Sequence, residues 1–281
     1  GLGGSGYNAT AVLTARTATS ISYANTGGDE IVTADIGGLI NGVADFRDSD
    51  KTVFIQDTRK VYATFNKIEI RNASTNVDWS GINFVNLSPS TTASKGDFEV
   101  IDNATVVIDA CNFTDMATFI FLGNSDATDC QFLRCGKITS GGGLFNGTSV
   151  LTSTVAADEG AFFYNINANP DGEMDGMTFT KGTNAHHAID FGTSVTSNIT
   201  LRDCAFDGFG STDDANDSTV RFLGSTNLTI SLVNCTVNGA AATSSNFSID
   251  ATSATITLSI DPVTTLVNIK DPDGNNEQNV R

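Results

Sequence analysis

Hydrophobic and polar residues alternate along this chain in short bursts, and the bursts share a phrase. An apolar residue and a polar one lead to Cys or Met, then one residue, then Phe. The phrase stands at Val107–Phe113, Ser125–Phe132, Glu173–Phe179 and Ile199–Phe206, and, with Val in place of Phe, at Ile230–Val237. Alternation of period two marks strands with one buried face, so within each copy the Cys or Met and the residue two places on share the interior side. The predicted interior ladder is therefore Cys111 and Phe113, Cys130 and Phe132, Met177 and Phe179, Cys204 and Phe206, Cys235 and Val237. Its anchors are separated by 19, 47, 27 and 31 residues, and the 47 reads as two repeats with a degenerate copy near Val150-Leu151-Thr152. Unequal repeats of strand character predict an all-β, right-handed parallel β-helix, a solenoid whose strands stack while its loops vary in length. Ankyrin, tetratricopeptide and leucine-rich arrays hold a stricter period, and no window sustains helical spacing.

Three zones follow. Residues 1–50 read as an N-terminal cap or attachment segment, with a Gly-rich start, a strand at Ala11–Ala15 and one short helix expected within Ile31–Ile40. Such a cap would cover the open edge of the first rung. Residues 51–260 carry strand after strand, from Thr52–Ile55 and Val61–Phe65 to Thr255–Ile260, and form the predicted β-helix. Rungs of roughly 20 to 30 residues, stacked at about 4.8 Å, give about 8 to 11 rungs and a rod roughly 40 to 50 Å tall. Residues 261–281 form a C-terminal extension, where Leu266–Lys270 and the turn Asp271-Pro272-Asp273-Gly274 read as the hairpin opening of an immunoglobulin-like sandwich.

Composition supplies the core: 40% of residues are hydrophobic and 18 are Phe, too many for disorder. The net charge of −17 disfavours nucleic acid, anionic membranes and acidic polysaccharides as partners. No apolar run is long enough for a membrane span, and Gly1–Gly6 lacks the charged and apolar regions of a signal peptide. Trp79 and four Tyr leave little material for stacking sugars. Eleven Asn-x-Ser/Thr sequons follow from the Asn and Thr content of the strands.

Five cysteines make an odd number, and only Cys130 and Cys135 are close in sequence. The others fill the slot that Met177 fills, which reads as small buried hydrophobes, with a disulfide or metal pair at Cys130/Cys135 as the alternative. Asp171-Gly172-Glu173-Met174-Asp175-Gly176 opens like a calcium loop, yet its twelfth position is Gly182 where a bidentate Glu is needed. Asp171, Glu173 and Asp175 are thus weak Ca²⁺ candidates, as are Asp213, Asp214 and Asp217 in the loop Ser211–Asp217, and solvated acidic turns are the plainer reading. His186 and His187 read as exposed loop residues. Hydrolysis of a glycan needs two carboxyl groups about 5 to 10 Å apart. Asp109, Asp129, Asp175 and Asp203 recur at similar places, but the repeat itself generates that stripe. A lyase would also need a base, for which the coils offer Arg134, Lys181, Arg202 and Arg221. No catalytic set, metal site or cofactor is assigned.

The Cys-x-Phe coils, the loops rich in Ser, Thr, Asn and Gly, the Gly-rich start and the Asp-Pro-Asp-Gly hairpin together resemble the parallel β-helix surface proteins of tailed bacteriophages: tail spikes, tail fibres and head-decoration fibres. The likeness covers about residues 50–260. It implies a homotrimer made in the host cytoplasm, attached to capsid or tail proteins at the virion surface, and facing solvent or a host surface glycan. The expectation is a structural virion protein that stabilises the particle and offers an adhesive surface, without enzymatic activity. Two alternatives share the same coil grammar: a polysaccharide-degrading tail-spike depolymerase or lyase-like enzyme, and a bacterial surface adhesin.

Overall fold

The computed structural model of the chain describes residues 66–70, 76–86, 95–101, 103–122, 124–152, 158–182, 186–210 and 217–261, and the backbone of six strands between Leu13 and Gln56. The described residues are strand, turn and loop, with no helix among them. The short helix expected within Ile31–Ile40 is replaced by strands Glu30–Thr33 and Leu39–Ile40. β-Branched Ile31, Val32 and Thr33 favour an extended chain, and Gly37-Gly38 penalise a helix there.

The strands gather into sheets that are almost wholly parallel. One sheet has nine strands, running in chain order from Leu39–Ile40 and Asn66–Ile70 through Lys95–Val100, Phe119–Phe121, Ile138–Ser140, Gly160–Tyr164, His187–Phe191 and Val220–Phe222 to Ile249–Ala251. A second has ten, from Glu30–Thr33 and Thr52–Gln56 through Asn83–Asn86, Asn112–Thr114, Gln131–Cys135, Ser149–Thr152, Thr178–Thr180 and Ala205–Asp207 to Thr236–Val237, where Ala240–Ala241 pairs antiparallel. Two smaller sheets have four strands (Val43–Phe46, Asn76–Ser80, Thr105–Asp109, Asn124–Thr128) and three (Ile199–Arg202, Leu228–Val233, Ile256–Ile260). Backbone bonds carry one toward the other: Ala127 N–H to Leu144 O (2.7 Å), Phe145 N–H to Glu173 O (2.7 Å) and Gly176 N–H to Arg202 O (3.0 Å). The sheets also continue across residue 50, since Glu30–Thr33 pairs Thr52–Gln56 and Val43–Phe46 pairs Asn76–Ser80.

Register is kept from rung to rung. In the nine-stranded sheet Phe98 pairs Phe119, then Ile138, Phe162, Ile189, Val220 and Ile249, in steps of 21, 19, 24, 27, 31 and 29 residues. In the ten-stranded sheet Phe84 pairs Phe113, then Phe132, Val150, Phe179, Phe206 and Val237. Val150 thus stands in the Phe position within the 47-residue gap, and Thr148 stands in the Cys slot, bonded through its carbonyl to Thr178 N–H as Cys130 is to Ser149 N–H. Side chains that share a column meet face to face. Phe113 stacks on Phe84 at 4.7 Å and on Phe132 at 4.9 Å, while Phe119 meets Phe113 and Phe132 edge-on at 5.0 and 4.8 Å. Trp79 is buried in the same core against Phe84 and Phe98.

A second column explains the residue just before each Cys. Gly81, Ala110, Asp129, Gly147, Gly176, Asp203 and Asn234 all take positive φ, between 49° and 71°. Each of the first six donates its N–H to a carbonyl one rung on, from Gly81 to Asp109 O through Asp203 to Val233 O, at 2.8 to 3.0 Å. The chain turns a corner here from the smaller sheets into the ten-stranded one. Gly, Asn and Asp tolerate the left-handed region, which is why they recur at this place. Ala110 (φ 49°) does not tolerate it, and its side chain is exposed. Ala110→Gly is expected to stabilise the chain by about 1 kcal/mol in urea denaturation, because Gly relieves the left-handed penalty. An unchanged or lowered midpoint would show that this corner is not strained.

Candidate functional site

The charged side chains lie mostly on the outer faces of these columns, and rung-to-rung bonds engage many of them. Every described Lys and Arg side chain pairs with a carboxylate from another repeat. Arg134 binds Asp115 through Nε and Nη2 (2.7 and 2.8 Å), Lys137 binds Glu159 (2.6 Å), Lys181 binds Asp217 (2.7 Å) and Arg202 binds Asp171 through two nitrogens (3.1 and 3.2 Å). These four pairs are part-exposed, so each contributes about 0–1 kcal/mol. The four candidate lyase bases are all engaged in this way, since Arg221 binds Asp190.

That last pair differs from the others. Asp190 occupies the outward position of its strand, in register with Phe163 on one side and Arg221 on the other. Its side chain is nonetheless only 3% exposed, and that of Arg221 only 15%. The Arg221 guanidinium grips both carboxylate oxygens at 3.0 and 2.7 Å, and Gly160 N–H adds a bond of 2.8 Å to Oδ2. Gly160 is required at this point because a Cβ there would lie 2.8 Å from Asp190 N and 3.0 Å from its carboxyl group. Nearby, His187 is fully buried, which corrects the expectation of an exposed loop residue. It opens a strand rather than a loop, and its Nδ1 lies 2.8 Å from Ser218 Oγ and 3.1 Å from Ser218 O. His186 is half-buried and accepts the Asp158 N–H at 2.9 Å. Ser218 is as buried as His187, so this Ser–His contact closes the interior and presents no nucleophile to solvent.

The turn 171–176 separates its three acids. Asp171 holds Arg202, Asp175 Oδ1 accepts Gly172 N–H at 3.1 Å, and Glu173 faces the Tyr164 hydroxyl at 3.5 Å. Among the described residues no group of three His, Cys, Asp or Glu side chains is placed to hold a metal ion. Asp217 is bound to Lys181, while Asp213, Asp214, Asp271 and Asp273 lie outside the described residues. Burial pushes the Glu173 carboxyl above the usual range, with the Tyr164 hydroxyl pulling the other way. Burial, and then the charge of Glu173, push Tyr164 upward. The folded chain thus holds the Glu173 proton more tightly than the unfolded chain does. The associated stability is full below the ordinary Glu pKa and is lost as pH rises through the raised one. The Glu173 contribution to the urea midpoint is expected to fall as pH rises from the ordinary Glu range through the raised one, and Glu173→Gln should flatten that decline; identical slopes in both chains would remove Glu173 as its cause.

All five cysteines are free and buried. Cys111 and Cys130 stand one rung apart in the same slot, as do Cys204 and Cys235, and each sulfur lies 3.3 to 3.7 Å from backbone carbonyls. Cys135 sits at the far end of its strand against Phe113 O and Leu133 O. Contact with Cys111 and burial hold Cys130 protonated, contact with Cys235 and burial do the same for Cys204, and burial does so for Cys135. The same contacts shift their partners Cys111 and Cys235 downward, so it is burial that keeps all five thiols from reagent: the native chain is expected to give no fast reaction with a thiol-specific chromogenic disulfide at pH 8, and five thiols after unfolding. One rapidly reacting thiol in the native chain would contradict this packing.

The acidic stripe read from the sequence resolves into two adjacent columns. Asp129 and Asp203 are corner residues, while Asp109 and Asp175 precede corners. Asp203 Oδ1 accepts Asn234 Nδ2–H at 2.5 Å, which ties two successive corners together. The sequence reading missed three features: the corner role of these acids, the Asp190–Arg221 pair, and a set of loop asparagines. Asn165, Asn167, Asn169, Asn198 and Asn227 each accept a backbone N–H 28 to 31 residues on, at Ser194, Thr196, Thr200, Thr229 and Thr255. The signal for the first was present, as Asp, Asn or Gly directly before Cys or Met. Compared with protein-family models, curated proteins and solved structures, the chain finds no match in any of the three.

Proposed function

We propose that this chain is a right-handed parallel β-helix with a structural, non-enzymatic role, a surface protein of a tailed-bacteriophage virion that acts as a capsid decoration or a tail fibre or spike segment. One observation carries the structural part of the reading: the described Lys and Arg side chains, and a set of loop asparagines, are engaged from one rung to another. Ion pairs, Asn-to-backbone bonds and stacked Phe rings all join residues roughly one repeat apart, which favours rigidity over an open, chargeable cleft. The virion setting comes from the resemblance in the Cys-x-Phe coils and the loops between them, and with it the homotrimer, the capsid or tail partner and the host glycan. Light scattering of the native chain, with an unboiled SDS gel of the same sample, tests the assembly. A trimer that survives SDS is the expected result, and a clean monomer would sink it.

A glycan-cleaving depolymerase has one observation in its favour: Glu173, with its raised carboxyl, lies in one turn with Asp171 and Asp175. A carboxyl whose proton is held by burial is what a glycosidase general acid requires. A reducing-end assay on capsular polysaccharides separates the two readings. The structural role predicts no release, whereas release that Glu173→Gln abolishes would install the enzyme.

A further inference from the structure

The interior column that leads into the ten-stranded sheet twice places one thiol against another. Gln131 N–H donates to Cys111 O at 2.9 Å and Asn112 pairs Gln131, so Cys111 and Cys130 hold the same place on successive rungs. Thr236 N–H donates to Cys204 O at 2.9 Å and Ala205 pairs Thr236, which sets Cys204 and Cys235 in the same relation. In each pair the later sulfur leans toward the earlier rung: Cys130 Sγ lies 3.5 Å from Ile108 O, and Cys235 Sγ lies 3.3 Å from Leu201 O. The column also fixes the partners. Ile82 precedes Cys111, Thr148 follows Cys130 and Met177 precedes Cys204, so no third thiol adjoins either pair. Cys130 and Cys135, the only two close in sequence, stand at opposite ends of one strand, about 15 Å apart and beyond the roughly 7 Å that a disulfide spans.

Paired strands lie about 4.8 Å apart, inside the range of about 4.4–6.8 Å over which a disulfide joins two Cα atoms. We propose that Cys111 with Cys130, and Cys204 with Cys235, are two oxidation sites at which a small peroxide joins neighbouring rungs through disulfides. The surroundings suit the product, since all four sulfurs are buried and a disulfide brings no charge into the core. Within each pair the hydrogen bond from the partner thiol draws one sulfur, Cys111 or Cys235, below the ordinary thiol range, and the thiolate is the form that attacks a peroxide. That thiolate takes one oxygen as the O–O bond breaks, releases hydroxide and becomes a sulfenic acid. The partner sulfur then attacks the sulfenic sulfur, the S–S bond forms, and the hydroxyl group leaves with the partner's proton as water. Two thiols have then lost two electrons and two protons, and the peroxide has become two waters. Peroxide is close to water in size, so local parting of the rungs admits it where a bulky reagent is kept out. The crosslinks join residues 19 and 31 apart in sequence and so restrict the unfolded chain. The proposal uses the strand register alone and stands apart from the virion reading.

Intact mass and a non-reducing peptide map of the reduced, full-length protein after exposure to hydrogen peroxide test this. The expected result is a loss of about 2 Da for each crosslink, about 4 Da in all, with peptides joined 111–130 and 204–235 and Cys135 still free. The guanidinium midpoint of that sample should rise, and should return to its starting value when a thiol reductant is added. Cys130→Ala and Cys235→Ala should each lose one crosslink and keep the other, which separates specific pairing from general damage to the core. A crosslink that includes Cys135 or joins two molecules, oxygen added to the cysteines without loss of hydrogen, or five thiols untouched by peroxide would each overturn the proposal.

Discussion

Phe113→Ala is expected to lower the unfolding free energy by about 3–5 kcal/mol. Phe113 is fully buried between parallel rings, Phe84 at 4.7 Å and 4° and Phe132 at 4.9 Å and 7°, with Phe98 and Phe119 edge-on at 5.5 and 5.0 Å. Backbone pairs hold the rungs above and below at fixed spacing, Phe113 with Phe84 and Phe132, so the walls cannot close on the space left behind. Loss of area, loss of ring contacts and a persistent cavity therefore add. Phe113→Leu, which keeps most of the volume, should cost under about 1.5 kcal/mol. Equilibrium unfolding in guanidinium measures both, and a Phe113→Ala cost below about 1 kcal/mol would mean that the site collapses or that the rings are not stacked.

The second large effect lies outside the core. Arg221→Ala leaves the buried Asp190 carboxyl group with the Gly160 N–H bond and without its cation, and removing one partner of such a pair costs about 3–5 kcal/mol. The double change Asp190→Leu with Arg221→Met should recover most of that loss, because the penalty belongs to the orphaned charge and not to the absent attraction. Thermal and denaturant unfolding of the four chains in a double-mutant cycle give the coupling directly. If Arg221→Ala alone is nearly neutral, the pair is solvated and the burial of Asp190 is wrong.

These two sites differ in how far the sequence reveals them. The Phe and Cys positions were legible because strand alternation and a recurring phrase depend only on neighbours along the chain. Cys111 with Phe113 and Cys204 with Phe206 are buried together as period two requires. The same logic placed a degenerate repeat near Val150, although Phe145, a buried ring in a stretch without regular strand, gave no alternating signal. Asp190 and Arg221 were not legible as a pair. They are 31 residues apart, and which outward residue meets which depends on loop lengths that set the register. His187 was misread because a His-His pair beside Asn and Ala looks like a loop until strand pairing with Gly160 places it. The corner residues fall between these cases: their Asp, Asn and Gly identities were visible, but their purpose appears only when successive corners stack.

The central claim is that successive repeats lie over one another in parallel register, and Asn83 and Asn112 test it most directly. They are paired, face outward, and touch through a side-chain bond from Asn112 Nδ2 to Asn83 Oδ1 of 2.6 Å. Neighbouring strands at about 4.8 Å fall within disulfide reach. In the double variant Asn83→Cys with Asn112→Cys, mild oxidation followed by a non-reducing peptide map is expected to give a quantitative 83–112 crosslink, with no loss of melting temperature. Absence of that crosslink, or a crosslink between molecules in its place, would contradict the stacked parallel register.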